Sequence, residues 1–483
     1  MTGACRLSVA TVLQPVVRLA SKHNEGILTF FHWPLDLFFT AGVSRIYWMK
    51  MSTRLHFLIL MLVVAGLLGS CTRSQSPDNL RPAASETTSE VKISIANSDP
   101  AEPALATDGN GNLFVVYVEH APDKSADLYI QKLDSTLKQI GERVRINPEV
   151  GNVKSWAGDA PSLTVATDKS IYVGWTERSG DGTNYVISVS HDGGTTFSSP
   201  TKINDDVAPA SHGMHSLAIG KDGVIYAAWL DERNLRKGHE TASLNSTDDD
   251  AGFHVVKIGH KGPESEHAPE PNSEVFFALS KDGGKSFSKN QKLASDVCPC
   301  CKTAVTTDES GRVYVSWRQV LDGDHRHIAV ASSSNGGESF SPRAIVSNDN
   351  WQIAACPVSG AAITATTSAL NVVWYTAGAE GQAGYYTATS TDGGAKFGTR
   401  VFVSGDAASG TPVLLRTDSG ITVVYQAADD RTVVASANQA TDFSTRSTID
   451  AANNPSAVSA NGSTYIVFVR KENKTRSVWI AKR

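Results

Sequence analysis

The chain carries no excess of basic charge: 44 Lys and Arg stand against 49 Asp and Glu, a net charge of −5. That balance lacks the electrostatic footprint of a nucleic-acid-binding protein, and a pI near 6.2 points to no charged partner. Long hydrophobic runs are missing too. The apolar run from Leu55 to Leu68 is too short to span a bilayer comfortably. Cysteine is scarce, with six in 483 residues, and residues 1–50 hold neither repeat nor clear pattern. The remaining composition, 41% hydrophobic and 19% charged, is that of an ordinary soluble globular protein.

What the chain has in abundance is repetition. A short phrase, Ser-x-Asp/Asn-x-Gly-x-x-Phe, runs from Ser190 through Asp192 and Gly194 to Phe197. It returns at Ser280, Asp282, Gly284 and Phe287, at Ser333, Asn335, Gly337 and Phe340, and at Ser390, Asp392, Gly394 and Phe397. A worn copy runs from Ser436 to Phe443, and a fainter one surrounds Asp134. Each copy ends one β-rich run and opens another, so it reads as a turn between strands. Side-chain oxygens of Asp or Asn accept backbone N–H bonds there, glycine supplies positive φ, and the Phe pins the turn onto the sheet. Internal repeats of this kind predict a propeller or a solenoid.

A second repeat is a strand ending in an aromatic residue, usually Trp, behind an Asp/Gly turn and another apolar strand. Its copies end at Tyr117, Trp175, Trp229, Trp317, Trp374, Tyr425 and Phe468. Successive spacings of 58, 54, 88, 57, 51 and 43 residues suit four-stranded blades, with one long insertion. The expected fold is therefore all-β, a seven-bladed propeller. The segment 91–96 has no blade of its own and is expected to join the last blade and close the ring. Alternation puts Tyr226, Ala228 and Leu230 on one strand face and Ala227 and Trp229 on the other, so the repeated Trp reads as core between blades.

The phrase resembles the Asp box of the bacterial sialidase and BNR-repeat families, with Asp192, Asp282, Asn335 and Asp392 in the structural position. The resemblance covers roughly residues 91–483. It implies a propeller, with a six-bladed sialidase-type ring as the alternative to seven blades. The boxes themselves read as structural, so they identify an architecture before a reaction.

The front of the chain reads as an export address. Residues 51–70 have a short basic start, an apolar core and small residues at the end. The run Leu68-Gly69-Ser70-Cys71 looks like a bacterial lipobox, which implies lipidation of Cys71 as the mature N-terminus. Residues 1–50 then read as an upstream extension ahead of the true start, 71–90 as a flexible polar tether, and 91–483 as the propeller domain. The expected location is extracytoplasmic, in the periplasm or at the cell surface, held to a bacterial membrane through the lipid alone.

With strands labelled outward from the axis, the boxes fall on one face. The loops after each second strand, and the crossovers between blades, fall on the other. That second face collects Glu119, Glu177, Arg178, Asp231, Glu232, Arg233, Arg318 and Tyr375 from the loops. The crossovers add Trp156, Asp159, the His212-Gly213-Met214-His215 cluster, the cysteines and Trp351. The long insertion, about residues 235–272, brings His239, His254, His260 and His267 to the same side.

On the sialidase resemblance, Arg178, Arg233 and Arg318 are candidates for a carboxylate clamp, since a guanidinium presents a planar fork. Tyr375 with Glu177 or Glu232 is the candidate nucleophile pair, and Asp159 or Asp231 the candidate acid. The family's Arg-Ile-Pro motif ahead of the first blade is absent.

Cys5 lies in the leader and Cys71 in the lipobox, leaving Cys298, Cys300, Cys301 and Cys356 in the fold. Export and an even count favour two disulfides, with three pairings open. The alternative is a copper or zinc site, in which these thiolates are joined by Met214, His212 and His215 from the neighbouring crossover. Three functions thus stand open: a glycan-binding and hydrolysing propeller, a non-catalytic propeller that binds glycan or a surface protein, and a copper- or zinc-binding periplasmic protein.

Overall fold

The computed structural model describes residues 89–235 and 272–483, apart from 379, 380, 409, 418, 419, 439, 440 and 474. The leader with Cys5, the export segment, Cys71, the tether up to residue 88 and the insertion histidines lie outside the described residues.

Strand β1 (Ser89–Lys92) begins two residues earlier than expected. Four strands follow, β2 (Pro100–Thr107), β3 (Leu113–His120), β4 (Ala126–Leu133) and β5 (Gln139–Arg145), and pair in chain order. The next sheet holds β6 (Ser162–Val165), β7 (Ile171–Ser179), β8 (Gly182–Ser190) and β9 (Thr201–Lys202). Then come β10 (His212–Ile219), β11 (Ile225–Asp231), β12 (Ser273–Ser280) and β13 (Gln291–Val297). They continue into β14 (Ala304–Thr307), β15 (Val313–Leu321), β16 (His325–Ser333) and β17 (Ala344–Ile345). A further sheet is built from β18 (Ala361–Ala365), β19 (Leu370–Thr376), β20 (Gly384–Ser390) and β21 (Val401–Ser404). It is followed by β22 (Val413–Thr417), β23 (Gly420–Gln426), β24 (Thr432–Ala437) and β25 (Thr445–Ile449). The last strands are β26 (Asn453–Ala460), β27 (Ser463–Glu472) and β28 (Thr475–Lys482). No α-helix occurs among the described residues.

The first strands touch in the order β2, β6, β10, β14, β18, β22, β26, and β26 returns to β2. The chain is therefore a propeller-like closed circuit. β1 pairs antiparallel with β28, Val91 opposite Ile480, so the N-terminal strand completes the last sheet as expected.

The count of separate blades differs from the expectation. Five sheets are four-stranded and one is eight-stranded, where seven (or six) separate blades were expected. The eight-stranded sheet runs from β10 to β17, and its halves meet through a single pair, Val297 with Gln319. Gln319 explains the join. Its amide nitrogen, Nε2, donates to the carbonyls of Ser295 and Asp296 and so ties the end of β13 to β15.

The cores lie between neighbouring sheets. Along β11, Tyr226, Ala228 and Leu230 enter one hydrophobic cluster while Ile225, Ala227 and Trp229 enter the next. Trp175, Trp229, Trp317 and Trp374 are all fully buried, so the repeated Trp is core. Nothing apolar faces water along such a strand, which is why its pattern is a continuous run.

The recurring turns share one hydrogen-bond pattern. The Ser190 hydroxyl donates to Asp192 Oδ1 (2.8 Å) and accepts from Gly194 N (2.9 Å). Asp192 Oδ1 also accepts from the backbone N–H groups of Thr195 and Thr196. Corresponding bonds are made at Ser280 and Asp282, at Ser333 and Asn335, and at Ser390 and Asp392. Gly194 has φ +91°, a left-handed conformation that glycine adopts without strain. The closing residues Phe197, Phe287, Phe340 and Phe397 each pack against a core cluster.

Candidate functional site

Antiparallel pairing in chain order puts the recurring turns, between third and fourth strands, on one face. The loops after β3, β7, β11, β15 and β19 and the connections between sheets emerge on the other. Three buried polar groups there hold most of the expected site residues, and a cleft opens on the same face.

The first group surrounds Asp231, at the end of β11. Its carboxylate accepts from Trp229 Nε1 (2.8 Å) and from Arg233 Nη2 (2.8 Å). His212 Nε2 lies 3.3 Å from Asp231 and 3.2 Å from Asp206. Burial opposes the Asp231 charge, but His212 and Arg233 outweigh it and hold its pKa far below the ordinary carboxylate range. Burial likewise opposes the His212 charge, and the two carboxylates overcome it and raise its pKa. Arg233 also bridges to Asp205 and Asn290 and lies over the Phe276 ring. Glu232 gives its backbone N–H to Ser211.

The second group surrounds Asp159. Its Oδ2 accepts from the Thr176 hydroxyl (3.0 Å), and Lys302 Nζ and His215 Nε2 each lie 3.7 Å from Oδ1. Burial opposes the Asp159 charge, but His215 and Lys302 outweigh it and lower its pKa. His215 stacks on the Tyr185 ring at 4.4 Å and shares a hydrogen bond with Ser162. Burial pushes the His215 pKa down to about 3, so it is neutral at ordinary pH and Lys302 is the cation facing Asp159.

The third group holds the cysteines. Cys300 and Cys356 form a disulfide. Cys298 and Cys301 are buried free thiols with Sγ atoms 3.2 Å apart, and Cys298 Sγ is 3.8 Å from Cys300 Sγ. One disulfide and a thiol pair thus replace the two disulfides expected, because residues 298–301 curl into a turn, with Cys301 N–H donating to Cys298 O, that sets Cys301 against Cys298. The Cys301 hydrogen bond, helped by the Arg326 and Arg318 charges, outweighs burial and lowers the Cys298 pKa, while burial raises that of Cys301. Met214 shares the cysteines' hydrophobic cluster. His212 and His215 do not join the sulfurs: their ring nitrogens are engaged in the two carboxylate groups above.

The three candidate clamp arginines occupy three different settings. Arg178 is exposed and donates to Lys124 O (2.8 Å). Arg233 is held by its carboxylates. Arg318 is fully buried, donates to Ser359 O (2.8 Å) and Tyr375 O (2.9 Å), and lies over the Trp351 ring at 5.0 Å. Tyr375 packs edge-on against Trp351 and Tyr385, and burial raises its pKa. Glu177, at the end of β7, accepts a long bond from Asn152 Nδ2 (3.4 Å), and burial followed by Glu149 raises its pKa. Tyr375 and Glu177 thus sit in separate sheets.

Sequence reasoning missed the cleft. It has a volume of about 800 Å³ and lies where the two halves of the eight-stranded sheet meet. Its amides are Asn272, Gln319, Asn348 and Asn350. Its titratable groups are Asp296, Asp322, His325, His327 and Arg343. His325 and His327 alternate on β16, with ring centroids 6.4 Å apart, and that period-two pair was the available signal. Hydrogen bonds to Asp322 O (2.8 Å) and Ser347 O (3.0 Å) fix one nitrogen of each ring. A concave surface with many amides and few apolar groups suits a polyhydroxylated ligand.

No protein-family model and no curated protein matches the chain. Among solved structures it is similar to a protein of unknown function from Dyadobacter fermentans, at 13% identity and a TM-score of 0.45, covering 81% of this chain and 97% of that one. It is similar to the polysaccharide lyase Uly1 at 11% identity and TM-score 0.47, covering 85% and 94%. It is also similar to the leech intramolecular trans-sialidase at 13% identity and TM-score 0.43, covering 77% and 83%.

Proposed function

We propose that this chain is a glycan-binding propeller whose ligand occupies the polar cleft on the face opposite the recurring turns. The observation that carries this reading is the cleft itself, lined by four amide side chains, two histidines and Arg343. Amides and imidazoles both donate and accept, as sugar hydroxyls do. In this reading the turns are Asp boxes, the eight-stranded sheet acts as two blades, and the ring has seven. The circuit of seven first strands supports that count.

Binding is preferred to hydrolysis. A sialidase-type site needs three guanidiniums open to one carboxylate, whereas Arg318 is buried and already bonded to two carbonyls. Residues 51–70 and Cys71 are proposed to export the protein and anchor it by lipid to the outside of the cytoplasmic membrane or to the outer membrane. Loss of metabolic acyl labelling in Cys71→Ala tests the anchor; undiminished labelling contradicts it.

The binding reading is tested by calorimetric titration of neutral and acidic oligosaccharides into the protein. A saturable ligand is expected, weakened about tenfold by Arg343→Ala or Asn348→Ala, each removing a hydrogen-bonding group. No turnover is expected on a panel of fluorogenic glycosides. Failure of every oligosaccharide to bind overturns the reading, and turnover lost in Arg318→Ala replaces it with the hydrolase.

A further inference from the structure

Outside the cleft, one cluster is built for different chemistry. The Sγ atoms of Cys298, Cys300 and Cys356 all lie within 4.8 Å of one another, and Cys301 Sγ is 3.2 Å from Cys298. In a tetrahedral thiolate site with metal–sulfur bonds of about 2.3 Å, sulfurs stand about 3.8 Å apart. The Cys298–Cys300 separation of 3.8 Å already has that value.

The surroundings call for an anion. Arg318 and Arg326 are buried, and Arg318 Nη1 and Arg326 Nε and Nη1 have no hydrogen-bond partner. Among the described residues, the carboxylate within 4.0 Å of either guanidinium is that of Asp324, 3.9 Å from Arg326 and itself exposed. Two buried positive charges, one facing only an exposed carboxylate and the other with no ion-pair partner among the described residues, are costly unless a negative centre compensates them. The Ser359 N–H donates to Cys301 Sγ (3.4 Å), the bond a thiolate accepts.

We propose that Cys298, Cys300, Cys301 and Cys356 form a redox-gated tetrathiolate site for a soft divalent d10 cation, closed by the disulfide and opened by a dithiol reductant. The dithiol passes two electrons and two protons to the Cys300–Cys356 bond, giving two thiols and leaving as its own disulfide. Four thiols then bind the cation and release four protons. The product carries two negative charges, which Arg318 and Arg326 balance. His212 and His215 take no part, so the donor set is sulfur alone.

The test uses the full-length protein with Co²⁺ as a spectroscopic probe and Zn²⁺ as its competitor. One sample is left oxidised; the other is reduced under argon and freed of reductant. The reduced sample is expected to bind one equivalent, with thiolate-to-cobalt charge-transfer and tetrahedral d–d bands that Zn²⁺ abolishes. Alkylation mapping is expected to find all four cysteines shielded by metal. The oxidised sample is expected to give no such band, and Cys356→Ser to bind about 100-fold more weakly, one ligand in four being lost. The charge-transfer band separates this site from Zn²⁺ held by the insertion histidines. The proposal is overturned if reduced protein, folded by circular dichroism and with Cys298, Cys300, Cys301 and Cys356 all alkylatable, shows no band. Wild-type affinity in Cys356→Ser, or unfolding on reduction, overturns it equally.

Discussion

His212 and His215 stand three positions apart and titrate in opposite directions, because a bulge between Gly213 and Ser216 gives them different neighbours. The folded pKa of His215 lies below its unfolded value of about 6.5, so its stability contribution is complete above that pH. The contribution is lost as pH falls toward 3, at up to about 1.4 kcal/mol per pH unit. His212 has a raised pKa, so its contribution is complete below about 6.5 and is lost as pH rises through the folded value. Denaturant midpoints measured across pH are therefore expected to decline less steeply on the acid side in His215→Gln. They should decline less steeply on the alkaline side in His212→Gln. Parallel profiles for both variants and wild type contradict the assignment. The sequence placed these histidines beside the cysteines because the crossovers that carry them are consecutive around the ring. The left-handed residue of this bulge is Met214, at φ +52°, and not the adjacent Gly213, so the sequence does not announce it, and it sends the two rings to separate carboxylates.

At the scale of elements, the strands and turns were legible because their causes are local. Ser, Asp or Asn and Gly at fixed offsets make one turn wherever they occur, and the Asp282 substitution to Ala should show it. Amide exchange at Lys285 and Ser286 is expected to accelerate there, since both N–H groups donate to the Asp282 carboxylate. Unchanged protection at both residues contradicts that role. Trp229 is fully buried between sheets, so Trp229→Ala is expected to cost about 3–5 kcal/mol in chemical denaturation. A loss under about 1 kcal/mol would place this Trp outside the core. The join at Val297 and Gln319 was not legible, since it rests on one residue pair across a connection and on side-chain bonds to two carbonyls. The cysteine pairing was missed for a similar reason: spacing allows three pairings of four thiols, and the local turn decides between them.

For the whole molecule, closure and the division of the two faces follow from strand order. Val91 opposite Ile480 seals the circuit, so Val91→Pro is expected to remove a ladder bond and lower the unfolding midpoint. An unchanged midpoint would mean that β1 does not hold the last sheet. Closure was legible in the sequence because 91–96 was left without partners. The cleft was not, because its lining residues come from five segments with no shared motif. The central claim is that ligand binding belongs to the loop face and the recurring turns to the scaffold. Hydrogen-exchange mass spectrometry with and without a saturating oligosaccharide tests this most directly. Protection is predicted over residues 319–327 and 343–350, with the turns at 190–197, 280–287 and 390–397 unchanged. Protection confined to those turns, or none on the cleft segments, would contradict the account.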